Sequence, residues 1–295
     1  MPWFEREKGI TRFFPEEGSE EGAVVLDLVA ELASAIPLRR HWAMEQMQEQ
    51  GRTDLAPYLL YHLKSAEPGV RCDAVKTLGL TGYEISAQAG EVLIPMLYDS
   101  EAEVRLAVAV ALWRLTRHEG VADLQRVLCA DPSIDVRRAV ARLLSDFEHP
   151  LQTVYFDYAL TDPDSTVRAY AAVGLGLSRD SAFQHRVMRL LGSETEDVAK
   201  AGLLFSGWLL GSGSRTLETF LRMGHTTKLV PMLCRWLHQY LDRKPGMEAE
   251  RELARVRTAI RKWPDAENLA QRMAMWQGDL LLRRAAEKAS QGGSE

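Results

Sequence analysis

The chain has 295 residues, of which 46% are hydrophobic and 26% charged, and its 41 acidic and 36 basic residues give a formal net charge of −5. This balance gives no general attraction to nucleic acid or to an anionic membrane surface. Only a local basic patch could bind such a partner. Three widely separated cysteines without metal-ligand spacing argue against a disulfide framework and a zinc site. The first residues lack the apolar stretch of a signal peptide, so we expect a cytoplasmic protein.

The N-terminal segment is rich in aromatic and acidic side chains. Trp3, Phe4, Phe13 and Phe14 lie among six glutamates, and no helical periodicity links them. Residues 1–22 are therefore predicted to form an irregular arm, which either packs over the first repeat or docks into a partner.

A short pattern recurs five times through the middle of the chain. Each copy joins a turn containing Asp, Glu, Ser or Pro to an apolar anchor, usually followed by arginine, and then to a helix rich in Ala and Leu. The anchors are Val70, Val104, Val136, Val167 and Val198. Their spacings of 34, 32, 31 and 31 residues are typical of stacked helical hairpins. Leu38, followed by Arg39, lies 32 residues before Val70 and indicates a degenerate first repeat that caps the array.

The Asp-Pro turn, the Val-Arg step and the Ala- and Leu-rich helix resemble HEAT repeats of the short bacterial subtype named after phycobilisome lyases. The resemblance covers residues 54–211 and implies an all-α fold, an α-α superhelix of about six to seven helical hairpins whose second helices line the concave side. In that family the arginine after the anchor forms a ladder with acidic residues of neighbouring repeats. The matching residues here are Arg71, Arg105, Arg137 and Arg168. The fifth unit has Ala199 at this position, so the ladder is expected to end before it.

The array is predicted over residues 23–245, after which chain breakers divide the sequence. The segment around Pro245 and then Pro264 separate two capping helices, at about 247–263 and 265–289, within residues 246–290. Residues 291–295 are predicted to be a disordered tail. The chain is thus predicted to be one all-α domain with an N-terminal arm.

Motifs typical of catalysis are absent from the sequence, which has no Gly-rich nucleotide loop, no Cys-x-x-Cys and no His-Glu-x-x-His. We therefore predict no catalytic residue, no cofactor and no metal site, and interpret the chain as a non-enzymatic protein-protein interaction scaffold or adaptor. A bilin-lyase-type or other ligand-handling enzyme stays open as the alternative, because bilin lyases share the repeat subtype. A HEAT-like DNA glycosylase fits less well, since such enzymes have a basic groove and this chain is acidic overall. The most apolar stretch, residues 202–213, is too short to span a bilayer.

Positions two, six and nine after each anchor point away from the first helix and are predicted to line the concave groove. The residues predicted to bind a partner there are Lys76, Leu106, Val110, Trp113, Arg138, Arg142, Val173, Lys200 and Leu204. The same positions also hold Cys72, Gly79, Ser145, Ala169, Gly176 and Gly207. This set joins apolar to basic residues without a carboxylate, which favours a partner protein presenting an acidic amphipathic helix or an extended acidic segment. The alternative is that the chain's own last helix, with Met273 and Met275, fills the groove.

Overall fold

The computed structural model describes residues 3–7, 10–14, 28–80, 91–115, 120–146, 152–224, 228–243, 250–263, 271 and 274–275. The chain divides into two compact units, unit 1 (Met1–Leu144) and unit 2 (Ser145–Glu295). The sequence predicted a single helical domain, so this division is a finding of the structure. The predicted tail and nearly all of the predicted helix at 265–289 lie outside the described residues.

An antiparallel pair of strands lies at the N-terminus, β1 (Trp3–Glu7) and β2 (Ile10–Phe14). The backbone register places Trp3 opposite Phe14. The prediction of an irregular arm is wrong for these two segments. Aromatic residues, isoleucine and threonine favour an extended backbone, and both segments contain two aromatic residues, joined in β2 by isoleucine and threonine.

Unit 1 is built from helical hairpins, in which a short first helix precedes a longer second helix. Proline begins two of the second helices, where its missing N–H costs no hydrogen bond. In chain order the helices are α1 (28–32), α2 (Pro37–Glu49), α3 (Ala56–His62, after a 3₁₀ turn at Thr53–Leu55), α4 (Pro68–Leu80), α5 (91–93, continued by a 3₁₀ helix at Ile94–Tyr98), α6 (Ala102–Leu115), α7 (Val121–Ala130) and α8 (Ile134–Ser145), whose last residue belongs to unit 2.

Unit 2 continues the same pattern of hairpins. Its helices are α9 (Gln152–Ala159), α10 (Ser165–Ser178), α11 (Gln184–Ser193, after a 3₁₀ turn at Ser181–Phe183), α12 (Asp197–Leu209), α13 (Ser214–Met223), α14 (Val230–Asp242) and α15 (Glu250–Ile260). Asp164 caps α10 by accepting hydrogen bonds from the backbone N–H groups of Thr166 and Val167. The predicted all-α class and its HEAT-like hairpins are confirmed.

The second helices α4 and α6 run parallel and in close contact within unit 1. Near their first turns, the Cys72 Sγ lies 3.8 Å from the Glu103 carbonyl oxygen. Near their last turns, a Cβ added at Gly79 would stand 3.0 Å from the Ala111 Cα. The two contacts pair start with start and end with end, so equivalent positions of the two helices lie side by side.

Helices α10 and α12 of unit 2 pack in the same way and even closer. A Cβ added at Gly202, in the first half of α12, would stand 2.6 Å from the Ala169 carbonyl oxygen. A Cβ added at Gly176 would stand 2.6 Å from the Ser206 Cα. Ala169 and Gly176, which the sequence placed on the concave face, therefore lie in the contact between second helices.

Ion pairs join the second helix of one hairpin to the turn of the next. The pairs are Arg71 with Asp99 and Arg105 with Asp131 in unit 1, and Arg168 with Glu194 in unit 2. Each of these arginines donates to both carboxylate oxygens over 2.8–3.0 Å, the geometry that the planar guanidinium favours. Each also donates to the carbonyl oxygen six residues earlier, and Arg137 makes this contact to Asp131 at 2.8 Å. All four arginines of the expected ladder thus hold the turn of their own hairpin.

The acidic residues of these pairs also order their own turns. Asp99 accepts a hydrogen bond from the Glu101 N–H at 3.0 Å while it binds Arg71. Burial alone would raise the pKa of Asp99, but the hydrogen bonds from Arg71 and from the Glu101 backbone outweigh it and hold that pKa below its ordinary value. For the same reasons the pKa of Glu194 is lowered.

The first hairpin follows the repeat with a register one residue later than the sequence predicted. Arg40, which is buried, donates to the Ser34 carbonyl six residues earlier and to the Asp73 carboxylate, both at 2.8 Å. Leu38, predicted as the anchor, is 81% exposed. Arg40 pairs with Asp73 inside α4 because the turn before α4 has Ser65 where other hairpins have the ladder carboxylate.

The fifth hairpin shows a second error of register. In the other hairpins the ladder carboxylate stands five residues before the anchor, and for Glu194 this rule gives Ala199. Ala199 is fully buried whereas Val198 is only half-buried, so the alignment on Val198 is wrong by one residue. Lys200 occupies the ladder position and is exposed.

Candidate protein-binding groove

An open cavity of about 720 Å³ lies on the second helices of unit 1. Its lining, which we call the unit-1 groove, comes from three successive second helices. The residues are His41, Met44 and Glu45 of α2, Cys72, Lys76, Gly79 and Leu80 of α4, and Glu103, Leu106, Ala107, Val110, Ala111 and Arg114 of α6. The apolar members form the greater part of this surface, and the charged members are exposed side chains.

The unit-1 groove brings together several residues that the sequence placed on the concave face. Lys76, Leu106 and Val110 line it, as do Cys72 and Gly79 at equivalent positions. Lys76 is exposed, and Leu106 and Val110 are half-exposed. These positions converge because α4 and α6 run parallel in the same register.

Three further predicted binding residues of unit 1 do not line the cavity. Trp113 lies on α6 three residues after Val110, but it is half-buried and does not line the cavity as Val110 does. Arg138 is exposed on α8 and lies 3.6 Å from Asp135, one turn earlier on the same helix. Arg142 is half-buried on α8.

Sequence reasoning missed the contribution of α2 because the concave positions were counted from the five valine anchors only. With Arg40 in the ladder position, His41 and Glu45 become equivalent to Cys72 and Lys76 of the next repeat. The other carboxylate, Glu103, lies one residue before its anchor, a position that was not counted. The expectation of a groove without carboxylates is therefore wrong.

The charged residues of the groove lie on different helices and at different points along them. Lys76 and Arg114 are exposed in the second halves of α4 and α6, and neither forms an ion pair with a carboxylate among the described residues. Glu103 stands at the first turn of α6, and Glu45 projects from α2. Burial raises the pKa of the Cys72 thiol, and Lys76 partly opposes this rise. The thiol is therefore neutral at pH 7 and belongs to the apolar floor.

The corresponding face of unit 2 is buried. Val173 is 0% and Leu204 is 4% exposed, so neither presents a surface to a partner, and their prediction as binding residues is wrong. For Leu204 the register explains the burial, because this residue stands five positions after Ala199, as the buried Ala109 does after Val104. The rest of the face lies under α14, whose Trp236 ring lies 6.0 Å from the Tyr170 ring of α10 and 6.1 Å from the Phe205 ring of α12. These side chains cover the face.

Further ring contacts and hydrogen bonds hold α14 on this face. Its Tyr240 ring lies 5.1 Å from the Trp208 ring of α12, and the Arg179 guanidinium lies over Tyr240 at 5.5 Å. At the end of the helix, Arg243 donates to the Leu177 carbonyl at 3.1 Å and Gln239 donates to the Ser145 hydroxyl at 3.1 Å. Ser145, another predicted concave position, is thus buried by α14.

A different helix was expected to cover the concave face. The sequence offered the last helix, with Met273 and Met275, as the internal occupant. In unit 2 the occupant is α14, and Met275, one of the three described residues of that last segment, is 72% exposed. Most of the predicted last helix lies outside the described residues.

Other kinds of site find no support in the described part of the chain. No group of three or more His, Cys, Asp or Glu side chains there is placed to hold a metal ion. None of the helices described is both long and apolar enough to cross a membrane.

Comparisons with known proteins find similarity of structure only. No family model and no curated protein matches the chain. The Escherichia coli protein YibA is 17% identical with a TM-score of 0.46, over 76% of this chain and 98% of YibA. The CpcE–CpcF complex of phycocyanin lyase from Nostoc sp. PCC7120 is 21% identical with a TM-score of 0.36, over 68% and 82%. The S. pombe condensin Cnd3–Cnd2 subcomplex is 17% identical with a TM-score of 0.47, over 92% and 36%. These likenesses are too weak to assign a function.

Proposed function

We propose that the chain is a non-enzymatic scaffold of the short bacterial HEAT subtype, which binds a segment of a partner protein in the unit-1 groove. The observation that carries the proposal is the open cavity of about 720 Å³, whose mainly apolar lining includes exposed charged side chains. A concave apolar surface with a few polar groups at its edge is the usual form of a site for a peptide segment. The free Cys72 in the groove suits a reducing compartment, so the proposal includes a cytoplasmic location.

The rigidity of the groove supports this function. The buried pair of Arg40 with Asp73 joins α2 to α4, and the half-buried pair of Arg71 with Asp99 joins α4 to the hairpin of α6. A surface held in place before binding loses little conformational entropy when a partner docks. The arginines thus have a structural role, and the groove residues between them provide recognition.

Site-specific photocrosslinking tests the proposal. A photoreactive amino acid is placed at Val110 or, as the matched control, at Val173, which stands at the same repeat position in unit 2 but is fully buried. We expect one partner to be captured from source-cell extract at Val110 and none at Val173. Capture of the same proteins at both positions would contradict the proposal.

Binding of the purified partner then provides the quantitative test. Leu106→Asp places a charge on the apolar floor and should weaken binding at least about tenfold. Tyr158→Ala, on an exposed side chain of unit 2, is the control and should leave binding unchanged. Circular dichroism checks that both variants fold. Equal affinities of the two variants would remove the groove from the proposed function.

A further inference from the structure

We infer that the unit-1 groove takes an α-helix that places large apolar side chains one turn apart on the groove floor and carboxylates against Lys76 and Arg114. This inference rests on the proposed function and specifies its partner. The evidence comes from α14, which already occupies the equivalent face of unit 2.

The two faces correspond position by position. Tyr170 stands three residues after its anchor, as Ala107 does on α6, and both belong to the face in question. Phe205 stands six residues after Ala199, the same place as Val110. Because the repeat geometry is shared, a helix that fits one face has the right direction and length for the other.

The two faces differ in the size of their side chains. Unit 2 supplies aromatic rings from Tyr170, Phe205 and Trp208, and α14 adds its own. Unit 1 has Ala107 and Val110 in the places of Tyr170 and Phe205, and this leaves the cavity open. The place of Trp208 is taken by Trp113, which does not line the cavity. In unit 1 the side chains that fill this space must therefore be supplied by the partner, so we expect Trp, Phe or Leu at its contact positions.

The occupant of unit 2 shows which spacing reaches such a face. Helix α14 buries Leu233, Trp236, Leu237 and Tyr240, which recur every three or four residues and form one side of the helix. Its exposed Arg235 lies on the other side. An extended strand presents alternate residues and cannot repeat this pattern. A helical partner is therefore favoured over an extended one.

Charge complementarity gives the partner its polar features. Lys76 and Arg114 project from neighbouring parallel helices and form no ion pair with a carboxylate in the described part of the chain. Asp or Glu flanking the apolar residues of the partner would meet both cations. Glu45 occupies on α2 the position that Lys76 occupies on α4, and Glu103 stands at the first turn of α6, so a uniformly acidic segment fits less well than a helix with localised acidic residues.

A peptide selection tests the inference. The full chain is presented to a displayed library of random 13-residue peptides, the length of α14. We expect enrichment of sequences with two large apolar residues three or four positions apart and adjacent Asp or Glu. The same selection on Lys76→Glu/Arg114→Glu should replace these acidic residues by Lys or Arg, and the original peptides should bind that variant at least about tenfold more weakly.

Each outcome of the selection decides the inference. Peptides that carry proline in their centre, that lack the helical spacing or that keep their charges on the double variant would overturn it, as would no enrichment. The proposed function is judged separately, by the natural partner captured at Val110. If that partner binds through the groove but its peptide gains no helicity on binding, the inference fails and the function stands. If no partner is captured there, the function fails.

Discussion

Units 1 and 2 use the same hairpin, the same parallel packing of second helices and the same arginine contacts, yet expose opposite kinds of face. In unit 1 the face beyond Leu106 and Val110 is open, whereas in unit 2 the face around Val173 is covered by α14. The difference lies in side-chain size and in the presence of a covering helix from a later part of the chain. A repeat position therefore defines the direction of a side chain, and the accessibility of that side chain depends on contacts from outside the repeat.

The largest effect is expected from removing the residue that seats α14. Trp236→Ala opens a cavity among Tyr170 and Phe205 and should lower the free energy of unfolding by about 3–5 kcal/mol. The matched control in unit 1 is Trp42→Ala, because Trp42 is half-exposed and should change stability by less than about 0.5 kcal/mol. Urea titrations followed by circular dichroism measure both. Similar losses for the two variants would mean that α14 does not cover the unit-2 face.

A loss of about 3 kcal/mol is expected for Arg105→Ala, because it leaves the Asp131 carboxylate buried without its ion pair. Arg138→Ala removes a pair that is exposed and 3.6 Å long, and should cost less than about 0.5 kcal/mol. Denaturant midpoints of the two variants give the comparison. An unchanged midpoint for Arg105→Ala would show that the ladder does not stabilise unit 1.

Acidification should weaken the ladder in both units. The pKa values of Asp99 and Glu194 are lowered in the folded chain, so each contributes stability that is fully present above the pKa of the unfolded chain. This contribution is lost as the pH falls from about 4.5 through the lower folded-state values. Asp99→Asn should cost about 1.5–3 kcal/mol at pH 7 and reduce the pH dependence of unfolding below that range. A wild-type acid profile in this variant would show that Asp99 does not couple folding to protonation.

The smallest effects concern the closeness of the second helices. Gly176→Ala forces a Cβ to within 2.6 Å of the Ser206 backbone, and should cost about 1–2 kcal/mol after the gain in helix propensity. Gly79→Ala meets Ala111 at 3.0 Å and should cost clearly less. Thermal melts of the pair rank the two contacts, and the reverse order would contradict the closer packing of unit 2.

The hairpins were predictable from the sequence because each contacts chiefly its neighbours, so the turn and the anchor recur at a fixed period. The register failed at the first hairpin, where Leu38 and Arg39 resemble an anchor and its arginine but Arg40 makes the ladder contacts, and at the fifth, where Ala199 replaces the anchor valine. The cover of the unit-2 face was not predictable, because Gln239 and Ser145 are 94 residues apart and no period links them. Five of the thirteen residues that line the groove were predicted, all of them on α4 and α6, because the register of these two helices was correct.

Thiol accessibility compares the two faces most directly. Val110→Cys and Val173→Cys place the same probe six residues after the anchors of α6 and α10, and mass spectrometry resolves maleimide labelling at each site from that of the native cysteines. We expect the thiol introduced at position 110 to react at least about a hundredfold faster than that at position 173 under native conditions, because the second must await local opening of α14. Adding Trp236→Ala should accelerate labelling at position 173 alone. Equal rates at the two positions in the unaltered background would contradict an open face in unit 1 and a covered face in unit 2.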